Sequence, residues 1–411
     1  MTLDPVHVEE VADLAGLLGR RVDDGDHDDL ARTAFEEWLD PLRVDGRTVL
    51  APLGDRHLRA VAVDDVALVD APYPTVHGLD SGTINPTTFK NGLVLDVAHA
   101  AMAADPSDLD LHRARSLVTT VHANDPTLSL GTDWVRRDEG YFRRKILHAP
   151  RVNRYAEGVV HALALYLAES SHALEHADAV SDCLLLDGPL YPKELLNWQD
   201  RDAELGALTT EAKPQAIVEN YVRLVERMLD RDVALAGFVK SPSAKLITRA
   251  LREKGVDAPW VDDTALFTRL LEPSAGGTEG HRLTFTNWFR SRGGSDRTLA
   301  ADGDALGVDR RRDPDDYEVT FFVVYDPRED LCYRVEAPAG LTRDADARDR
   351  LTRQILRDVA VSRGPPTVVE RADALARIGV DEKTALRRKF EERLDSAFVR
   401  TYDDVRWDAE F

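Results

Sequence analysis

Two aspartates each close an apolar run and lead into a small-residue turn: Asp80 in "TVHGLDSG" and Asp187 in "CLLLDGPLY". Alone, either is an ordinary turn former. As a pair at the ends of β-like runs they have a second use. Adjacent carboxylates repel unless a cation sits between them, and oxygen donors select hard divalent ions such as Mg²⁺ or Mn²⁺. Two such ions can activate water and stabilise the leaving oxygen of a phosphoester. The apolar segment "RYAEGVVHALALYLAESSHALEHA" (154–177) lies between the two aspartates and carries two further acids, Glu157 and Glu169. A helix antiparallel to a strand of about 17 Å needs roughly ten residues to match it, at ~3.3 Å per strand residue and ~1.5 Å per helix residue. That count favours Glu169; Glu157 is the alternative if the helix breaks at Ser170–Ser171. Lys240, in "FVKS" just past another β-like run, can hold a phosphate or developing charge. His172 and His176 have i, i+4 spacing without an HExxH context and read as structural.

These residues need elements to place them. Residues 6–40 show helical periodicity, followed by short β-like runs "TVLAPL" and "LRAVAVDD". Strands are expected at 75–80, 91–103 and 115–123, then a loop "VRRDEGYFRRK", the helix 154–177 and a strand 183–191 that ends at Asp187. Further on come a helix "EAKPQAIVENYVRLVERML", a strand 233–241 and a helix closed by Gly255. Residues 272–315, rich in Gly, Ser and Arg, read as a long loop or insertion. A hairpin, "EVTFFVVYD" with "LCYRVEAP", and C-terminal helices complete the chain. Three strands, a crossover helix and a fourth strand returning beside the first would set Asp80 next to Asp187 at the carboxyl ends of parallel strands, where ligands collect. The fold class is a mixed α/β sheet flanked by helices.

The 411 residues can bury a large core. The formal charge is −21, from 74 acids against 53 Lys plus Arg. Such acidity suits solubility in concentrated salt, a halophile's composition, and does not exclude a nucleic-acid partner that meets one local patch. Cys183 and Cys332 sit in apolar runs and are expected as free thiols of a reducing compartment. The stretch "MTLDPVHVEEVADL" has no basic segment before an apolar core, and no run approaches a membrane span, so a cytoplasmic protein without a membrane partner is expected.

Three acids on a strand–strand–strand–helix–strand unit describe an RNase H-like arrangement. The chain from about residue 75 to the end resembles the NurA nucleases through "GLDSG", "LAESSHALEHADAVSDCLLLDGPLY", "GFVKSPSAKLI", "YRVEAP" and "PPTVVERADALARI" taken in order. The resemblance implies an RNase H-like core at about 75–255, an insertion at about 272–315 and a C-terminal part, 316–411, that completes the site; residues 1–74 are an N-terminal extension. It also implies a deoxyribonuclease, a single-strand endonuclease and 5′–3′ exonuclease, that uses two Mn²⁺ or Mg²⁺ ions held by Asp80, Glu169 and Asp187. The implied partners are DNA, a second copy of the chain and a HerA-type hexameric ATPase, in resection of double-strand breaks. The family closes with Tyr-Pro and then Ala-His; here Pro365-Pro366 and Ala372-Asp373 stand there, so a carboxylate, Asp373, replaces the imidazole ligand.

Arg and aromatic residues mixed in "VRRDEGYFRRK" and "NWFRSRGG" make Arg136, Arg137, Arg143, Arg144, Lys145, Trp288 and Arg290 candidate DNA contacts. "SAGGTEG" lacks the Lys of a phosphate loop, so ATP hydrolysis would belong to the partner. The competing readings are a metal-dependent phosphatase and a non-catalytic scaffold for the translocase.

Overall fold

The computed structural model describes residues 4–19, 25–125, 130–131, 133–276, 280–300 and 307–400. Helices α1 (Pro5–Gly19) and α2 (Gly25–Thr33) come first, α2 running on as a π turn to Trp38. Strands β1 (Leu42–Val44), β2 (Arg47–Pro52) and β3 (Leu58–Ala62) follow, then α3 (Val63–Ala67). The central unit is β4 (Val76–Thr83), β5 (Thr87–Thr88), β6 (Val94–Asp105), α4 (Leu109–Arg113), β7 (Arg115–His122), β8 (Val135–Arg137), β9 (Phe142–His148), α5 (Ala156–Glu175) and β10 (Cys183–Asp187). After it come α6 (Lys193–Arg201), α7 (Ala203–Leu208), α8 (Ala212–Asp230), β11 (Ala234–Val239), α9 (Leu246–Glu253) and α10 (Asp263–Ala275). The remainder is β12 (Arg282–Thr286), β13 (Phe289–Ser291), β14 (Val319–Asp326), β15 (Leu331–Pro338), α11 (Ala339–Thr342), α12 (Ala345–Ser362), α13 (Thr367–Ala376) and α14 (Val380–Leu394).

Among the described residues, fifteen strands join one sheet, and its middle runs β11–β10–β4–β6–β7. β6 is antiparallel to both β4 and β7, while β10 lies parallel to β4 and β11 parallel to β10. This is the RNase H-like order, in which the fourth strand returns beside the first. "CLLLD" can be apolar at nearly every position because β10, flanked by parallel neighbours, is covered on both faces. Leu184 and Leu186 join the core under α5 and α8; Cys183 and Leu185 join the core under α12 and α13. Helix α5 is apolar almost all round because it lies between the sheet and α8. Cys183 and Cys332 are buried free thiols. No described helix is long and apolar enough to cross a membrane.

Three expectations change. Strand β4 does not stop at Asp80: Ser81, Gly82 and Thr83 continue the ladder opposite Ala100, His99 and Ala98. A small residue inside a strand resembles a turn when only local pattern is read, and here the cross-strand pairing overrides it. "VRRDEGYFRRK" is not a loop but the hairpin β8–β9 at the sheet's edge. Residues 272–315 are not a free insertion either, since β12 and β13 both pair with β14. Their other edges are taken by β3 and β2, so the first 74 residues share the sheet with the rest of the chain.

Candidate functional site

The parallel register matches Leu186 with Leu79, so Asp187 and Asp80 follow side by side. Both project to the same face. Asp80 alternates with Gly78 and Gly82, and a Cβ on either glycine would run into the backbone of α13, at Val368 and at Ala376. Helix α13 therefore lies directly on β4, with Asp373 level with the middle of that contact. Asp373 is half-exposed and paired with Arg377 one turn on. Its charge reaches both Asp80 and Asp187.

Glu169 comes from the opposite face. Ser81, one residue beyond Asp80 and so on the other side of β4, donates to Glu169 Oε1 at 3.3 Å; Tyr221 of α8 donates to Oε2 at 2.8 Å. Helix α5 is unbroken through Ser170 and Ser171, and Glu157 lies at its far end, accepting from Thr88 Oγ1 at 2.6 Å. Of the two candidate glutamates, Glu169 is the one placed with the aspartates. Tyr221 and Ser81 were not singled out from the sequence. Tyr221 stands at an inward position of an amphipathic helix, where a Tyr reads as core.

The site's electrostatics follow from its crowding. Burial first, then the charges of Asp187 and Glu169, push the Asp80 carboxyl up to about 8, while the Ser81 N–H it accepts at 2.7 Å pulls the other way. Burial pushes Glu169 up to about 7, against the Tyr221 hydrogen bond. Burial also raises Asp187, opposed by Lys240, whose ammonium donates to Oδ2 at 2.6 Å. No group of three or more His, Cys, Asp or Glu among the described residues is arranged to ligate one ion together. Three of the four acids instead have side-chain partners, Lys240 for Asp187, Tyr221 and Ser81 for Glu169 and Arg377 for Asp373, and Asp80 accepts the Ser81 N–H. The donor set nevertheless fits a hard divalent cation. It is all oxygen, and burial followed by the charges of Asp187 and Glu169 raises the Asp80 carboxyl, a cost that a bound cation would relieve.

The turn after Asp187 is tied down from below. Gly188 adopts φ +129 and donates to Phe238 O at 3.0 Å; Leu190 N–H donates to Glu336 Oε2 at 3.1 Å. Gly237 on β11 passes under this turn, where a Cβ would meet Gly188 and Leu190. Arg334 and Lys193 pair with Glu336 in turn. "GFVKS" and "YRVEAP" thus meet beneath the Asp187 turn.

The expected DNA contacts fare differently. Trp288 is 5 % exposed and donates to Thr352 Oγ1 at 2.8 Å, so it is a core residue. Arg290 pairs with the fully buried Glu318 at 3.2 Å. Arg143 is buried too, bonded to Ser116 Oγ and Glu175 and stacked over Trp134. Arg136 shares Glu175 with it. Trp288, Arg290 and Arg143 serve the fold, because strand alternation and ion pairing turn them inward, whereas Arg136 is exposed beside its ion pair. Arg137 and Arg144 are exposed, and Lys145 is half-buried near Trp134. All three sit on the edge hairpin, three to four strands from Asp80, about 14–19 Å at ~4.8 Å per strand. His172 is buried with Nδ1 bonded to Ser116 Oγ at 2.9 Å.

The NurA domain profile matches residues 74–378 of the chain. No curated protein matches it. Among solved structures, the NurA nuclease from Sulfolobus solfataricus is 11 % identical, with 96 % of this chain and 98 % of that one covered and a TM-score of 0.47. A NurA bound to dAMP and manganese is 10 % identical over the same shares, with a TM-score of 0.46.

Proposed function

The chain belongs to the NurA family, and we propose that it is a divalent-metal-dependent deoxyribonuclease that cuts phosphodiester bonds at Asp80, Glu169 and Asp187. One observation carries this reading. Two strands, a helix and their register bring three acids into mutual electrostatic contact, with a lysine on one of them and too little positive charge to neutralise the rest. When bound, Mn²⁺ or Mg²⁺ ions supply the water activation and charge neutralisation that phosphodiester hydrolysis needs.

Asp80 and Asp187 offer oxygens from one face, Glu169 from the other, and Asp373 from α13 is the fourth acid within reach. Tyr221 and Ser81 hold Glu169 in place and favour its charged form over the neutral one. Lys240 neutralises Asp187 in the metal-free protein. With a cation held by Asp187, Lys240 would be the cationic side chain at this edge to contact the phosphate of the substrate strand. The reading extends to a homodimer that works with a HerA-type hexameric ATPase in resecting DNA ends, the translocase supplying processivity. Within it, residues 75–411 form the nuclease domain and 1–74 complete its sheet.

The test is cleavage of labelled single-stranded DNA by purified protein at high KCl, with Mn²⁺ or Mg²⁺. Cleavage that Asp80→Ala and Asp187→Ala each abolish is the expected result. No cleavage with either metal overturns the reading and leaves a translocase-binding scaffold in its place; hydrolysis of small phosphomonoesters alone leaves a phosphatase.

A further inference from the structure

The sheet narrows beyond the three acids. β4 stops at Thr83 and β10 at Asp187, whereas β6 extends to Val94 with β5 and β7 beside it. Helix α5 starts thirteen residues before Glu169, about 20 Å of helix at ~1.5 Å per residue. On the sheet's other side, Leu386 and Phe390 of α14 pack on Leu95 and Val97. The overhang is therefore a wall of α5, β6 and α14, rising where β4 and β10 have ended.

One buried charge marks that wall. The α5-facing side of β6 reads Val94, Asp96, Ala98, Ala100, Met102, and all but Asp96 belong to the apolar core. Asp96 has no solvent exposure. A carboxylate there is costly unless it is fully bonded. Its Oδ1 accepts Val97 N–H at 2.7 Å and its Oδ2 accepts from His161 Nδ1 of α5 at 2.8 Å. The His161 side chain is 33 % exposed, with no hydrogen bond from Nε2 to a described residue. An aspartate accepting from Nδ1–H fixes that proton, so the neutral ring turns Nε2 outward as an acceptor and the imidazolium turns it outward as an N–H donor. The hydrogen bond to Asp96 raises the imidazole pKa above its usual value, burial opposes it, the charges of Asp96 and of Glu194 on α6 raise it, and Lys383 on α14 lowers it. The charged ring therefore presents an N–H to solvent from the wall, beside a buried carboxylate that favours the charged form.

We propose that His161 binds the substrate strand, its Nε2–H donating to a backbone phosphate about 12 Å from Glu169 along α5, or three to four stacked nucleotide steps at ~3.4 Å. The proposal rests on the nuclease reading and adds a subsite to it. His161 is cationic below its raised pKa and loses its charge as pH rises through it, so the phosphate contact weakens in that direction.

The test is anisotropy of a labelled single-stranded oligonucleotide with the full chain in EDTA, from pH 5.5 to 9 at fixed KCl. Wild-type affinity falls as pH rises, and His161→Gln lacks that step, binding about threefold to tenfold more weakly at pH 6 and equally at pH 9. His161→Arg restores binding and makes it independent of pH. Asp96→Asn moves the step to lower pH, which a purely structural role would not do. The salt slope of His161→Gln falls by about 0.7, one single-strand phosphate contact. If wild type binds and His161→Gln matches it at pH 6, the subsite is overturned while the nuclease reading stands. If wild type binds no oligonucleotide at any pH, the subsite falls, and the nuclease reading is decided separately by metal-dependent cleavage.

Discussion

At the scale of single residues, the acids oppose folding as much as they serve chemistry. Asp80 carries a proton up to about pH 8 in the metal-free protein and up to about 4 in the unfolded chain. The native state thus holds the extra proton, and the stability it brings is present below pH 4 and lost as pH rises through 8. Asp80→Asn removes that dependence. Its melting temperature in EDTA is expected to exceed that of wild type at pH 8 and to decline less between pH 4 and 8, while metal-dependent cleavage disappears. A scanning calorimeter run across that range checks both slopes. Tyr221 works on Glu169 in the other direction. Its hydrogen bond lowers the Glu169 pKa, so Tyr221→Phe raises it further and leaves Oε2 without a donor. The acidic limb of the pH–rate profile should move to higher pH, with the DNA dissociation constant unchanged. An unmoved limb would mean that Glu169 does not titrate in the working enzyme.

At the scale of elements, "GLDSG" is a packing motif as much as a chemical one. Gly78 and Gly82 are two residues either side of Asp80, on its face of β4, and each receives a carbonyl of α13, from Val368 and Ala376. No side chain fits at either place. Gly82→Ala should force α13 away from β4, costing about 1–3 kcal/mol in urea unfolding. Because Asp373 rides on α13, the same substitution should weaken Mn²⁺ binding, measurable by calorimetric titration; unchanged affinity would detach Asp373 from the site. The crossover helix α5 explains a second feature. It must be apolar on both sides, so an acid within it is conspicuous, and Glu169 is held by one group from the sheet and one from α8.

At the scale of the whole molecule, the sheet does not end where the catalytic unit ends. Phe35, Leu39, Leu42 and Leu50 share one core with Trp260, Phe267, Phe289 and Phe321. β2 and β3 cover the edges of β13 and β12. A fragment beginning at residue 75 would bare two strand edges and that apolar core. It is expected to be aggregation-prone and to melt well below the full chain by circular dichroism. A 75–411 fragment as stable as the whole would show the N-terminal strands to be dispensable.

The sequence alone determined the chemistry and much of the order. Asp80, Asp187 and the apolar helix between them were legible because strand ends, helix periodicity and charged residues in apolar runs are local patterns. The meander, the crossover and the parallel return followed from connection rules that depend on order along the chain. What only the tertiary structure decided was which side of an element a residue faces and what lies opposite. Trp288, Arg290 and Arg143 look like binding residues locally, yet they face cores and buried acids contributed by distant segments. The strand past Asp80 and the strands within 272–315 are held by partners far along the chain. Tyr221, Ser81, Glu336 and the Asp96–His161 pair acquire roles only when separate elements are stacked, because a hydrogen bond between distant residues leaves no periodic trace in the chain that makes it.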